Sequence, residues 1–178
     1  MRSATGRAVV AGIIVLTLAA GLAGAAMGGP AGPTPWADSL KAFDVALAQG
    51  HVAVAERALQ SAHAAALGSL TWEGMVEVGD AYRRLAEASS AWRPRDTRAH
   101  DAYLSALFRA RRQESLDGVF RIAEGFAVLG EREPVNLCIQ VAKGLAARVP
   151  DVKERERAFA SIERVARRLL ALDTSMPD

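Results

Sequence analysis

Val78-Gly79-Asp80-Ala81-Tyr82, followed by Ala99-His100-Asp101-Ala102-Tyr103-Leu104-Ser105-Ala106-Leu107, is the part of the chain from which the fold is read. In the first run a glycine precedes an aromatic residue by three positions. In the second, Ala99, Tyr103 and Ala106 stand four and three residues apart. On a helix of 3.6 residues per turn these spacings put small and large side chains on one face. Two helices can then cross closely at the small residues while the large ones fill the gap.

The same spacing recurs outward in both directions. Upstream stand Phe43, Ala46, Gly50, Ala55, Leu59 and Ala62; downstream stand Ala123, Phe126, Gly130, Val135, Ile139 and Ala142. From each glycine the steps are five, four and three residues. Ala46 to Tyr82 is 36 residues and Tyr82 to Phe126 is 44, whereas Ala55 to Ala99 is 44 and Ala99 to Val135 is 36. One insertion of eight residues between Ala86 and Ala99 reconciles all four intervals.

Helix punctuation agrees with three hairpins and a final helix. Thr34-Pro35 opens a first helix that stops at Gly50, and a second runs from Val52 to about Leu67 with Gly68 just beyond. Thr71 caps a third from Trp72 to about Ala88; Ser89 to Asp96, with Pro94 inside, interrupts; a fourth runs from Thr97 to Gln113. Ser115 caps a fifth ending at Gly130, and Glu133-Pro134 starts a sixth that reaches about Arg148. Asp151 and Glu154 form a capping box for a seventh, with Phe159, Ile162, Val165, Ala166, Leu169 and Leu170 in helical register. Composition points the same way. Of 178 residues 51% are apolar, alanine supplies 37 and asparagine one, a bias toward helix and away from sheet.

These motifs resemble the tetratricopeptide repeat. Val78, Gly79 and Tyr82 match that family's leucine-glycine-x-x-tyrosine signature, and Ala99, Tyr103 and Ala106 match its second helix. The resemblance covers about residues 36 to 149. The chain departs from it at Phe43, where the family favours a small residue, at Val135, where it favours alanine, and in repeat length. It implies an all-α, right-handed array of three hairpins, about residues 36–68, 71–113 and 115–149, closed by a capping helix over 150–172 and a tail over 173–178. It also implies a concave groove lined by the first helix of each hairpin, where a protein or peptide partner binds. On this register the groove holds Leu40, Asp44 and Leu47, then Val76, Asp80 and Arg83, then Phe120, Glu124 and Ala127.

Asp44, Asp80 and Glu124 place one acid at the same position in every unit, which suits an extended segment with basic and apolar side chains. Acids on a helix face are equally the mark of a solvated surface. The insertion is a second candidate contact: Trp92, Arg93, Arg95 and Arg98 have the composition of a partner or lipid-headgroup site. Gly79 is expected where helices approach closely, and Arg109, Arg111 and Arg112 read as a solvated helix end.

Before the array, Ala8 to Met27 is uncharged, with Arg2 and Arg7 ahead of it and a Gly/Pro-rich linker over 28–35 behind. Residues 1–27 are therefore read as a signal peptide or as a signal-anchor transmembrane helix. The taper into Ala23-Gly24-Ala25 favours cleavage. Ala20, Gly24 and Gly28, four residues apart, are the stripe through which membrane helices pack. In both readings the leading arginines keep the N-terminus cytoplasmic and put the rest of the chain outside the cytoplasm, in the periplasm or cell envelope.

Cys138 is the single cysteine, so no disulfide framework or multi-cysteine zinc site is expected. His51, His63 and His100 lack metal-ligand spacing, and no phosphate loop or nucleophile elbow is present. The expectation is a non-enzyme without metal or cofactor. Without residues 1–27 the chain carries 20 basic and 20 acidic side chains, which gives nucleic acid no net attraction. Two functional classes remain: an adaptor that binds a protein partner in assembly or maintenance of an envelope complex, and a structural subunit of a membrane complex held by its N-terminal helix.

Overall fold

A computed structural model describes residues 34–89 and 97–171, and every element in them is helical. The helices are α1 (Ala37–Ala48), α2 (Val52–Ser69), α3 (Trp72–Ala88), α4 (Arg98–Arg112), α5 (Leu116–Val128), α6 (Arg132–Ala146) and α7 (Val152–Ala171). Among the described residues there is no strand, and no helix is long and apolar enough to cross a membrane. The signal or anchor segment over 1–27, the linker up to residue 33, insertion residues 90–96 and the end of the chain from 172 lie outside the described residues.

Three hairpins pack in sequence, α1 with α2, α3 with α4 and α5 with α6, and α7 closes on α5 and α6. The first helices also touch one another, α1 with α3, α3 with α5 and α5 with α7. The repeated alanines account for the spacing between layers. Ala62, Ala106 and Ala142, and one turn on Ala66, Ala110 and Ala146, are all buried.

The register of 36 and 44 residues reappears in the contacts. A Cβ on Gly74 would come within 2.9 Å of the Trp36 indole and 3.0 Å of Ala66; one on Gly118 would come within 2.9 Å of Trp72 and 3.0 Å of Ala110. The two sets of residues are equivalent, so each hairpin meets the next by laying an indole on a bare stretch of helix. Gly79 is a close approach inside the second hairpin, because a Cβ there would come within 2.6 Å of the Tyr103 ring of α4.

Turns repeat as well. Gly50 (φ 73°) and Gly130 (φ 71°) end the first helices of hairpins one and three, where a side chain would be strained. Between hairpins the left-handed position falls to Leu70 (φ 60°) and Glu114 (φ 53°), again 44 residues apart. Here the sequence expectation is corrected. Gly68 lies inside α2, which continues to Ser69 and ends on a left-handed leucine. The Ser115 hydroxyl accepts from Gly118 N at 3.0 Å and Asp151 Oδ1 accepts from Glu154 N at 2.8 Å, as capping residues should. Thr71 makes no side-chain cap, and Pro35 precedes α1 in a turn where Ala37 N donates to the Thr34 carbonyl.

Candidate partner-binding face

Asp44, Asp80 and Glu124 occupy equivalent turns of α1, α3 and α5, and none of them is an isolated acid. Asp44 Oδ1 accepts from Arg84 Nη1 at 2.6 Å; Asp80 Oδ2 is paired with Arg121, and Glu124 with Arg168. Each acid is thus met by an arginine of the next first helix. The expected acidic row is a ladder of ion pairs, and its net charge is close to balanced. Asp44–Arg84 and Glu124–Arg168 are exposed enough that each pair is worth only about 0.2–1 kcal/mol.

Asp80 differs from its two counterparts. The Tyr103 ring, carried by α4, passes between Gly79 of α3 and Gly125 of α5, and a Cβ on Gly125 would come within 2.7 Å of it. Its hydroxyl emerges on the first-helix side and donates to Asp80 Oδ1 at 2.6 Å. Burial pushes the phenol well above its ordinary pKa, and the Asp80 carboxylate adds to the shift. The counterparts of Tyr103 are Leu59 and Ile139, so only the central hairpin sends a hydroxyl through the layer. Beside it Arg83 pairs with Glu87 at 2.6 Å while its Nε is buried without a partner.

Shallow grooves run between neighbouring first helices. One, of about 350 Å³, lies between α1 and α3 with Leu40, Lys41, Asp44, Glu77, Asp80 and Arg84 around it; another, of about 270 Å³, lies between α5 and α7 beside Glu124, Ala127, Val128 and Arg168. Among the apolar residues expected on this face, Leu40 and Val76 are buried and serve mainly as core, with Leu40 at a groove floor. Leu47, Phe120 and Ala127 are half-buried and pack against that core. Longer side chains shield more of this face than the repeat pattern indicates.

Of the second candidate contact, Trp92, Arg93 and Arg95 lie outside the described residues, as do Ala20, Gly24 and Gly28. Arg98 is described, and it turns back onto the array: its Nη1 donates to Glu56 at 2.9 Å and its guanidinium lies 4.9 Å from the Tyr82 ring centre. Arg109 corrects another expectation. It reaches from α4 to the carbonyls of Ala66 (2.8 Å), Thr71 (2.9 Å) and Leu67 (3.2 Å), and so caps the C-terminus of α2. Arg111 and Arg112 are exposed.

Arg84, Arg121 and Arg168 were not legible in the repeat, because they sit at different register positions: Arg84 is four residues after the counterpart of its acid and Arg121 three residues before. Comparison of the chain with protein-family models, curated proteins and solved structures returns no match.

Proposed function

We propose that this chain is a tetratricopeptide-like adaptor, a right-handed array of hairpins over 36–149 with a cap over 150–172, which binds a protein segment along the α1, α3 and α5 face. The observation that supports this most is the ladder itself. Three acid–arginine pairs bridge successive first helices, with grooves beside the first and last. A row of alternating carboxylates and guanidinia offers acceptors and donors to the main chain of an extended segment, while the groove floors take small apolar side chains. The partner in this reading is selected by shape and hydrogen bonding more than by net basic charge. Residues 1–27 deliver or anchor the array outside the cytoplasm, in assembly or maintenance of an envelope complex.

The test uses the full-length protein recovered in mild detergent with whatever co-purifies identified by mass. Changing Asp44, Arg84 and Glu124 together to alanine should release the partner and leave the helical signal intact, since these side chains are exposed and such substitutions shift stability by about 0.5 kcal/mol or less each. Retention of the partner by a folded triple variant overturns the groove. If Trp92→Ala, Arg93→Ala and Arg95→Ala release it instead, the insertion is the working surface. An adaptor should also be recovered partly free, whereas a structural subunit is depleted when its complex is absent.

A further inference from the structure

The corner where α2 and α4 end carries large apolar side chains that the repeat does not call for. Leu67 is 47% exposed, Leu70 70% and Phe108 65%. Two hydrogen bonds tie the leucines to the last turn of α4, from Arg109 Nη2 to the Leu67 carbonyl and from Gln113 Nε2 to the Leu70 carbonyl, each at 3.2 Å. Phe108 stands three and four residues before Arg111 and Arg112, on one face of α4. Packing does not require any of the three apolar residues. The counterparts of Leu67 are Arg111 and Ala147, those of Leu70 are Glu114 and Pro150, and those of Phe108 are Ala64 and Gly144. Leu70 even holds a left-handed turn (φ 60°) that a glutamate serves equally well at Glu114 (φ 53°).

Charge at this corner is mainly of one sign. Arg111 and Arg112 are exposed and make no ion pair among the described residues. Arg109 beside them is engaged with the end of α2, and Arg148 holds the exposed Glu114. The acids of α2 and α4 stand toward the opposite edge, Glu56 paired with Arg98 and Asp101 in the first turn of α4. Glu73 and Asp117 do reach this edge, but each precedes Asp80 or Glu124 by seven residues, two helical turns, and so belongs to the first-helix face. Asp38 is the counterpart of Gly74, which faces the preceding hairpin, and so points off the start of the array. The chain also enters here. Trp36, the residue before α1, lies with Ala66 against Gly74, so whatever precedes Thr34, the uncharged run Ala8 to Met27 included, joins the array at the edge that carries Leu67 and Leu70. We infer that this corner seats on a bilayer surface with anionic headgroups. Leu70 and Phe108 enter the headgroup layer, and Arg111 and Arg112 meet its phosphates. Side chains that project from a turn tip and a helix flank suit a yielding lipid surface. The inference rests on the part of the proposed reading that holds the array at a membrane, and not on the ion-pair ladder.

The test uses the full-length chain reconstituted in vesicles of phosphatidylcholine with about 30% phosphatidylglycerol. A nitrobenzoxadiazole label on Leu70→Cys should be quenched by lipid that carries a nitroxide near its headgroup. The same label on Val54→Cys, exposed at the opposite edge, should not be. Cys138 contributes no background, since its thiol is buried and pushed up to about 12. Phe108→Ser, Arg111→Ser and Arg112→Ser together should abolish quenching at position 70 and leave helicity unchanged, because all three side chains are exposed. In phosphatidylcholine alone quenching should fall severalfold. Chains that float with the vesicles but show no quenching overturn the inference and leave the anchor standing; chains that do not float overturn both. Equal quenching at the two labelled sites, or in the two lipid mixtures, overturns it as well, and so does quenching that survives the triple variant. If the unaltered chain shows no quenching and the triple variant loses a co-purifying protein, the corner is a protein contact and the lipid surface is overturned. The alanine variant at Asp44, Arg84 and Glu124 should keep its quenching, so failure of the groove and failure here give different results.

Discussion

Where hairpin one meets hairpin two, the Trp36 indole lies on Gly74; where two meets three, the Trp72 indole lies on Gly118, with an alanine of the preceding second helix at the same 3.0 Å in both. The Tyr103 contact is of another kind. It is made once, it inserts a ring between two glycines instead of laying one on a helix, and it ends in a hydroxyl bonded to Asp80. The indole joints fix how far apart hairpins stand. The tyrosine joint connects the core to the face on which the ion-pair ladder stands, so its loss should be felt in both places.

The largest expected effect is therefore at Tyr103. Tyr103→Ala empties a fully buried site closed by two glycines that cannot fill it, and should cost about 3–5 kcal/mol in urea unfolding. Tyr103→Phe keeps the ring and removes the hydroxyl that bonds the Asp80 carboxylate, for about 1.5–3 kcal/mol because that partner is charged. A similar cost for the two variants would mean that the hydroxyl, and not the ring, holds this joint. Because Asp80 also holds Arg121, Asp80→Ala strands a buried phenol as well as a guanidinium, and a triple alanine variant that includes Asp80 would confuse folding with binding.

Next come the indole joints. Gly74→Ala and Gly118→Ala should each cost about 1–3 kcal/mol, since the added methyl meets ring atoms at 2.9 Å and a second methyl at 3.0 Å. If the joints are copies, the two costs should agree to within about 0.5 kcal/mol, and combining Trp36→Leu with Gly74→Ala should show a coupling energy of the opposite sign to the single effects. A cheap change at one joint and a dear one at the other, read from thermal midpoints, would break the equivalence.

The intervals of 36 and 44 residues are visible in the chain because small residues at fixed spacing are a backbone requirement, and Gly79, Ala106 and Ala142 sit where helices approach. Leu70 was missed for a complementary reason. A left-handed turn residue is readable when it is glycine, as at Gly50, and silent when the fold imposes that φ on leucine. The site was less legible than the fold. Asp44, Asp80 and Glu124 align by register, but Arg84, Arg121 and Arg168 reach them from unequal distances, and a flexible side chain leaves no period in the sequence.

A pH effect separates the first joint from the second. His63 Nδ1 lies 3.0 Å from the Tyr82 hydroxyl at the junction of hairpins one and two; its counterpart at the next junction is the buried Leu107. Burial, and then the charge of Arg109, hold the His63 imidazole below its ordinary pKa of 6.5. The unfolded chain therefore takes up the proton first. Stability from this group is complete above about pH 6.5 and is lost progressively as pH falls toward the folded value. Melting between about pH 8 and 5 should show that loss, and His63→Gln should flatten it. An unaltered slope in the variant would place the acid sensitivity elsewhere.

The smallest effect belongs to the two turns between hairpins, where the comparison is closest. Leu70 and Glu114 hold the same left-handed conformation, at φ 60° and 53°, which costs an L-residue about 1–2 kcal/mol that glycine avoids. Glycine returns about 0.5–1 kcal/mol of that through the freedom it gives the unfolded chain. Leu70 is 70% exposed, so little burial is forfeited, and Leu70→Gly should stabilise the protein by about 0.5 kcal/mol. Glu114→Gly relieves the same strain but removes the exposed pair with Arg148 at 3.1 Å, worth about 0.2–1 kcal/mol, so it should be close to neutral. Raising the salt concentration should bring the two variants together by screening that pair. If Leu70→Gly were destabilising by a full kcal/mol, the leucine side chain would be making contacts beyond its turn, and the two turns could no longer be treated as copies.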